Sequence, residues 1–274
     1  MAIQFDTHVH TSFSTDSSTP PVEQLNKVLQ LGMSGICITD HMDYHFPPSA
    51  LDHPVEGIPF CFDWNAYQET MKEIRQNTAI ALYTGVECGL QKSACVIEKN
   101  TNLSLEPALD YMIGSLHLVE GKDPYYPSFW QGKNPSQCIQ YYFEILYENL
   151  KLFHSVDSLG HMDYIVRYAP ADYVYVPENF REIIEAILEL LIRKDIALEV
   201  NTSGWKTEGR YQNPHVDILN WYCQKGGELV TVGSDAHSPE YLAYRFDEIV
   251  NLLKRTGLRQ YAVYQKHKPV FYDL

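Results

Sequence analysis

The chain has 274 residues, of which 45% are hydrophobic and 20% charged, and its formal charge is −14. That length holds one large core or two modest ones, and the composition is that of an ordinary globular protein. The acidic balance argues against a broad surface for nucleic acid or anionic membrane, because either needs a basic patch. A small anionic substrate stays open, since bound metal ions invert a local field.

Six scattered cysteines without a CxxC pair suit reduced thiols in a cytoplasmic protein. The opening MAIQFDTHVH has no basic segment leading into an apolar run, so no signal peptide is expected. No run of about 18 apolar residues is present to span a membrane. The 20 tyrosines are read as amphipathic packing residues.

In chain order, a predicted strand at 3–10 leads to a helix at 21–31, opened by prolines and closed by Gly32. A strand at 35–41 and a long loop at 42–63 precede a helix at 64–76 and a strand at 80–87. A second long loop at 89–110 leads to a strand at 111–117, a helix at 135–153 and a strand at 156–161. A third loop at 164–177 is followed by a helix at 179–194, a strand at 196–201, a helix at 214–225, a strand at 228–237 and a helix at 239–255. Short β-branched runs alternating with helices indicate a parallel α/β architecture, either a closed barrel or an open sheet. Neither GxGxxG nor GxxxxGK[ST] occurs, which weakens the common nucleotide-binding sheets. One domain over residues 1–274, with loop insertions that suit lids or rims, is expected.

The strand ends carry the chemistry. Residues i and i+2 of a strand face the same side, so His8 and His10 present two imidazoles to one point. Later runs end in Thr39-Asp40-His41, Gly85-Val86-Glu87, Ser115-Leu116-His117, Gly160-His161-Met162-Asp163 and Gly233-Ser234-Asp235-Ala236-His237. In a parallel sheet or barrel these carboxyl ends gather on the face where ligands sit. His8, His10, Asp16, His41, Glu87, His117, His161, Asp235 and His237 then converge. Such crowding is costly for poorly compensated buried ions, and divalent cations relieve it by coordinating both residue types. The donor set exceeds one tetrahedral site, so two or three divalent ions are expected, and imidazole with carboxylate suits Zn, Mn or Fe.

The ordered set HVH (8–10), TDH (39–41), GVE (85–87), SLH (115–117), GHMD (160–163) and SDAH (234–237) resembles the polymerase and histidinol phosphatase (PHP) family. The resemblance implies an α/β fold, a distorted (β/α)7 barrel, with a trinuclear metal centre at the carboxyl ends of its strands. It implies His8, His10, Glu87 and Asp235 as ligands of one metal. Glu87 would bridge to a second metal held with His117 and His161, and Asp16, His41 and His237 would hold the third. LGHMDYIVRY and LEVNTSGW are similar to the stand-alone L-histidinol-phosphate phosphatases of that family. This implies hydrolysis of L-histidinol phosphate to L-histidinol and phosphate in histidine biosynthesis, with Glu87, Asp235 and His237 as catalytic residues.

Metal-bound water loses a proton near neutral pH, so a bridging hydroxide is expected to attack phosphorus in line with the ester oxygen, without a phosphoenzyme. The proton donor stays open among a metal-bound water, Asp235 and a nearby histidine. Asp40 and Asp163 are expected to orient ligating imidazoles. Arg167 and Arg210 are the candidate phosphate clamp, ahead of Lys92 and Lys206. His45 and His53 are read as loop-surface residues, and His154, His215 and His267 as structural. The aromatic run 125–130 is expected to pack its loop down rather than cap a pocket. The expected partner is a small phosphorylated substrate, not long nucleic acid or a membrane, and oligomeric state is left open. The competing readings are a phosphodiesterase or nuclease on short oligonucleotides, a protein-tyrosine phosphatase and a noncatalytic metal-binding module.

Overall fold

Each apolar run becomes a strand, and a helix separates it from the next. The computed structural model describes residues 3–52, 59–207 and 209–274. The order is β1 (Phe5–Val9), α1 (Pro21–Leu31), β2 (Gly35–Ile38), β3 (His41–Met42), α2 (Trp64–Gln76), β4 (Ala81–Gly89) and α3 (Ala94–Ser104). There follow β5 (Tyr111–Ser115), α4 (Pro127–Trp130), α5 (Pro135–Leu152), β6 (Ser158–Leu159), α6 (Arg181–Lys194) and β7 (Ala197–Asn201). The chain ends with α7 (Val216–Gln224), β8 (Val230–Gly233), α8 (Phe246–Thr256), β9 (Gln260–Gln265) and β10 (Lys268–Asp273).

The strands pair in parallel in the order β1-β2-β4-β5-β6-β7-β8, with β3 added against β4. Between β8 and β1 the ladder is sparse and concentrated at the carboxyl rim. Asp235 N donates to His8 O at 2.8 Å and His10 N to Ala236 O at 2.9 Å. Lower down, Thr7 Oγ1 donates to Val232 O at 2.9 Å. The fold is a distorted (β/α)7 barrel. Among the described residues no helix is long and apolar enough to cross a membrane.

The inward-facing side chains change character along the barrel axis. At the amino-terminal end Cys37, Tyr111, Ile113 and Ala197 form an apolar plug with Ala262 and Tyr264. Above it the Tyr111 hydroxyl meets Ser158 Oγ and Thr231 Oγ1. Two residues further along β7 comes Glu199, and then the imidazole rim. Alternation of period two lets apolar-looking strands aim polar groups at the axis while Ile36, Ile38 and Val200 join the main core. Gly233 provides clearance, because a Cβ there would lie 2.3 Å from His8 Cβ and 2.9 Å from Glu199 Oε1.

Besides the short turns at Tyr164–Tyr168 and Pro127–Trp130, three regions differ from the expected elements. The anticipated loop at 89–110 contains α3, which buries Val96, Asn100 and Leu103 along one face. The anticipated helix at 239–255 opens instead as a short 3-10 turn, Pro239–Tyr241, and α8 starts at Phe246 after Ala243 and Arg245 adopt positive φ. The unforeseen β9–β10 hairpin closes the bottom of the barrel. Its Tyr261 hydroxyl accepts from Gln4 N at 2.9 Å, and Tyr264 stacks on Tyr111 with centroids 5.2 Å apart.

The hairpin turn is pinned by His267, whose Nδ1 lies 2.8 Å from Asp157 Oδ2. Hydrogen bonding to Asp157 raises the His267 imidazole above its ordinary value against the effect of burial. Burial raises the Asp157 carboxyl, and the facing imidazolium pulls it part of the way back. A raised histidine contributes stability below its unfolded value of about 6.5 and loses it as pH climbs through the folded value. His267→Gln is therefore expected to lower Tm at pH 6.5 and to cost less at pH 9; an equal deficit at both pH values would contradict the pairing. Gly233→Ala is expected to destabilise the barrel by about 1–3 kcal/mol through overpacking against His8. Denaturant titration with an unchanged midpoint would show that the strand gives way freely.

Candidate metal centre and active site

The nine side chains singled out at the strand ends come together at one mouth of the barrel. Glu87, 1% exposed on β4, sits at their centre. Its Oε1 faces His161 Nε2 at 2.9 Å and His117 Nε2 at 3.2 Å. Its Oε2 faces His41 Nδ1 at 3.1 Å, His8 Nε2 at 3.2 Å and His10 Nε2 at 3.4 Å. Asp235 Oδ1 lies 3.4 Å from His10 Nε2 and 3.5 Å from His237 Nδ1. Asp16 Oδ2 lies 3.1 Å from His237 Nε2 and 3.6 Å from His41 Nε2. His41 thus stands between the Glu87 and Asp16 groups. Asp235 holds a left-handed backbone, φ 53°, which turns its carboxylate back over the barrel mouth.

A ring of outer partners aims the imidazoles. His8 Nδ1 pairs with Glu199 Oε1, and Glu199 Oε2 accepts from His161 N at 2.7 Å. His117 Nδ1 pairs with Asp43 Oδ2 at 2.6 Å. His10 Nδ1 meets Ser14 Oγ at 3.0 Å, and that hydroxyl donates to Asp40 Oδ1 at 2.6 Å. With Nδ1 engaged outward, the Nε2 atoms of His8, His10 and His117 point into the cluster. Asp40 thus orients an imidazole as expected, through Ser14. Asp163 does not: it accepts from Asn213 Nδ2 and from His215 N. Glu199, Asp43 and Ser14 were missed. Glu199 carried a readable signal, a carboxylate inside the apolar run IALEVN two residues from Asn201.

The electrostatics call for cations. Burial pushes the Glu87 carboxyl up, but His8, His117 and His41 together hold it well below its ordinary value. Burial likewise opposes ionisation of Asp235, and His8, His10, His237 and Arg167 outweigh it. Burial pulls His8 down, and Glu199, Glu87 and Asp235 more than reverse this. His10 is held well below its ordinary value by burial and by His237 and His41. His8 Nε2 and His10 Nε2 face each other at 3.0 Å, so a proton or a metal ion must separate the two lone pairs. Groups such as His8–His10–Glu87, His8–His161–Asp235, His41–Glu87–His117 and His10–His41–His237 each bring donor atoms within 4.8 Å of one another. Buried imidazole and carboxylate donors, with the outward Nδ1 atoms of His8, His10 and His117 already engaged, fit divalent metal ions.

Beside the cluster opens a cavity of about 430 Å³. Arg167 lines it from a buried 3-10 turn, Tyr164–Tyr168. Arg167 Nε and Nη2 donate to Asn213 Oδ1 at 3.2 and 2.8 Å, and Nη1 reaches Asp235 Oδ2 at 3.3 Å. Lys206 also lines the cavity and donates to Asp235 O at 3.0 Å. Arg210 does not join them. The bridge between Asn201 and Asn213 brings Asn213 to Arg167, while Arg210 turns away and donates to Ala169 O at 2.6 Å. Lys92 pairs outside the cavity with Glu148 at 3.9 Å. His45 lies near Cys95 and Lys99 on the surface, and His53 falls outside the described residues. His215 caps α7 by accepting from Asp217 N. The aromatic run divides: Phe129 and Trp130 are buried, whereas Tyr125 and Tyr126 line the cavity.

A model of the PHP domain matches residues 6–203. The chain belongs to the PHP family. A protein of Clostridium acetobutylicum named "Probable histidinol-phosphatase" is 30% identical over 270 residues, 98% of this chain and 96% of its own length. The histidinol-phosphatase of Lactococcus lactis is 27% identical over 272 residues, 97% of this chain and 96% of its own length. A crystal structure of histidinol phosphate phosphatase from Lactococcus lactis, complexed with zinc, L-histidinol and phosphate, aligns with a TM-score of 0.86 at 25% identity. The alignment covers 97% of this chain and 98% of that one.

The matched PHP segment stops short of Asp235 and His237, which reach the cluster because β8 closes on β1. If the outer ring aims the imidazoles, neutralising Glu199 weakens metal binding without dismantling the barrel. Glu199→Gln is expected to lower metal affinity about 10- to 100-fold. Competition against a chromophoric chelator reads this directly, and retention of wild-type affinity would remove Glu199 from the role.

Proposed function

We propose that this chain is a metal-dependent phosphomonoesterase that hydrolyses L-histidinol phosphate to L-histidinol and phosphate, a step of histidine biosynthesis. Residues 1–274 act as one unit in this reading. It is carried by one observation: a Glu87-centred donor cluster shares a cavity with Arg167 and Lys206, in a chain that aligns nearly end to end with the zinc, L-histidinol and phosphate complex. The noncatalytic alternative has no comparable support.

We assign three divalent ions to the nine donors. His8, His10, Glu87 and Asp235 would hold one, Glu87, His117 and His161 a second, and Asp16, His41 and His237 the third. Zinc is the first candidate from the related complex, and manganese and iron suit the same donors. Such ions act as Lewis acids on phosphoryl oxygens and make a water acidic enough to lose its proton near neutral pH.

The chain's own residues supply the remainder. Arg167, fastened by Asn213, offers Nη1 to a phosphoryl oxygen, and Lys206 offers a second positive charge. Hydrolysis joins a water oxygen to phosphorus and breaks the ester P–O bond, and the alkoxide leaves with a proton. Asp235 Oδ2 lies between Arg167 and Ser203 Oγ and is the atom placed to carry a proton in transit. Glu87 holds the two halves of the cluster together, and His237, more open at the mouth, would meet the leaving alcohol from the cavity wall. Free cysteines at all six positions suit a reducing compartment, and we place the enzyme in the cytoplasm.

Exhaustive chelation is expected to abolish phosphate release from L-histidinol phosphate, and zinc or manganese to restore it. Full turnover by the stripped protein would refute the metal requirement. The loaded enzyme is expected to favour L-histidinol phosphate over phosphotyrosine and a dinucleotide, and the reverse order would refute the substrate. Arg167→Met is expected to lower kcat/KM about 10- to 100-fold, through loss of a charge-assisted contact. Arg210→Met should stay within about twofold, as for substitutions away from a site.

A further inference from the structure

The donors assigned to the third ion form the most open part of the cluster. The Asp16 and His237 side chains are 41% and 31% exposed, whereas the other donors are 10% exposed or less. Packing holds the buried donors in place. Asp16 and His237 stand where water competes for them, so a force other than burial must set their spacing. Asp16 lies on the loop between β1 and α1, and His237 lies beyond the end of β8. Their side chains nevertheless meet, with Asp16 Oδ2 at 3.1 Å from His237 Nε2.

The backbone ladder at the seam does not reach His237. It ends at Ala236, whose carbonyl accepts from His10 N at 2.9 Å. Gln24 of α1, fully buried, reinforces this last rung by donating from Nε2 to His10 O at 3.0 Å and to Ala236 O at 3.3 Å. Past Ala236 two hydroxyls take over. Ser17 Oγ and Thr19 Oγ1 donate to one acceptor, His237 O, at 2.8 and 3.0 Å. Among the described residues no backbone hydrogen bond joins this loop to His237. The loop itself is closed at its base, where Ser12 N donates to Thr19 O at 2.7 Å, and Ser17 Oγ accepts from Thr19 N at 3.3 Å. Thr19 is buried, and Ser17 is the direct neighbour of Asp16. One loop thus offers a carboxylate to the His237 imidazole and grips the backbone of the same residue.

We infer that Ser17 and Thr19 are positioning residues for the third ion: their hydroxyls latch the His237 backbone to the loop that carries Asp16 and so set the spacing of the two donors. The inference rests on the three-ion reading above and adds to it the residues that assemble its outermost site. Removing the latch leaves the other donors fastened. His8 keeps Glu199, His10 keeps Gln24 and Ser14, and His117 keeps Asp43. Asp235 N keeps His8 O. The loss is therefore selective for one ion of the three.

The test follows zinc binding by the 274-residue chain at buffered free zinc. Bound metal is counted by atomic emission, and affinity is read by competition with a chromophoric chelator. Wild type is expected to bind three ions. The double variant Ser17→Ala/Thr19→Val is expected to keep two at wild-type affinity and to bind the third about 10- to 100-fold more weakly. Ser17→Ala/Thr19→Ser, which keeps one hydroxyl, is expected to recover part of that affinity. Phosphate release from L-histidinol phosphate by the double variant should return when free zinc is raised by the same factor, which neither misfolding nor a lost substrate contact would allow. An unchanged third step in the double variant, or equal weakening of all three steps, would overturn the inference. So would a Thr19→Ser background that binds the third ion no better than Thr19→Val. A wild-type chain that binds fewer than three ions would instead refute the three-ion assignment itself.

Discussion

A single buried carboxylate, Glu87, is the point on which the rest of this structure depends. It sits within 3.4 Å of nitrogens from five imidazoles, which come from the rims of β1, β3, β5 and β6. Alone in such a place an anion would be prohibitively desolvated. With the histidines it forms a cluster whose negative and electron-rich groups need cations among them, whether protons or metal ions. The same contacts tie distant strands to one another. Where β8 meets β1 the backbone ladder is thin, and side chains take over: Asp6 accepts from Ser234 N at 2.9 Å, and Glu199 grips His8. Ions bound at the rim bind the closed barrel and not the open chain, so occupancy and closure are thermodynamically linked.

The part of this design visible in the sequence is the part written in local pattern. Short β-branched runs ending in HVH, TDH, GVE, SLH, GHMD and SDAH named both the strands and the cluster, because period-two alternation converts sequence position into direction. What stayed hidden depends on tertiary contact. Glu199 and Asp43 look like ordinary carboxylates until the barrel brings His8 and His117 to them. Arg167 and Arg210 are both clamp candidates on paper, with Arg167 ahead, and it is the fold, through the Asn201–Asn213 bridge that sets Asn213 beside Arg167, that separates them. The helix α3 was concealed by Asn100, Thr101 and Asn102, weak helix formers whose segment is held by burying Val96 and Leu103. The β9–β10 hairpin was concealed for a similar reason. Its exposed outer strand shows no clean alternation, and its inner strand is held by the plug it forms with Tyr111 and Cys37.

The distribution of charge then explains how an acidic chain handles an anion. The formal charge of −14 belongs to the whole surface, whereas a phosphoryl group entering the cavity meets Arg167, Lys206 and the donors for metal ions. Three divalent ions there would outweigh the charges of Glu87, Asp235 and Asp16, leaving that end of the cavity positive.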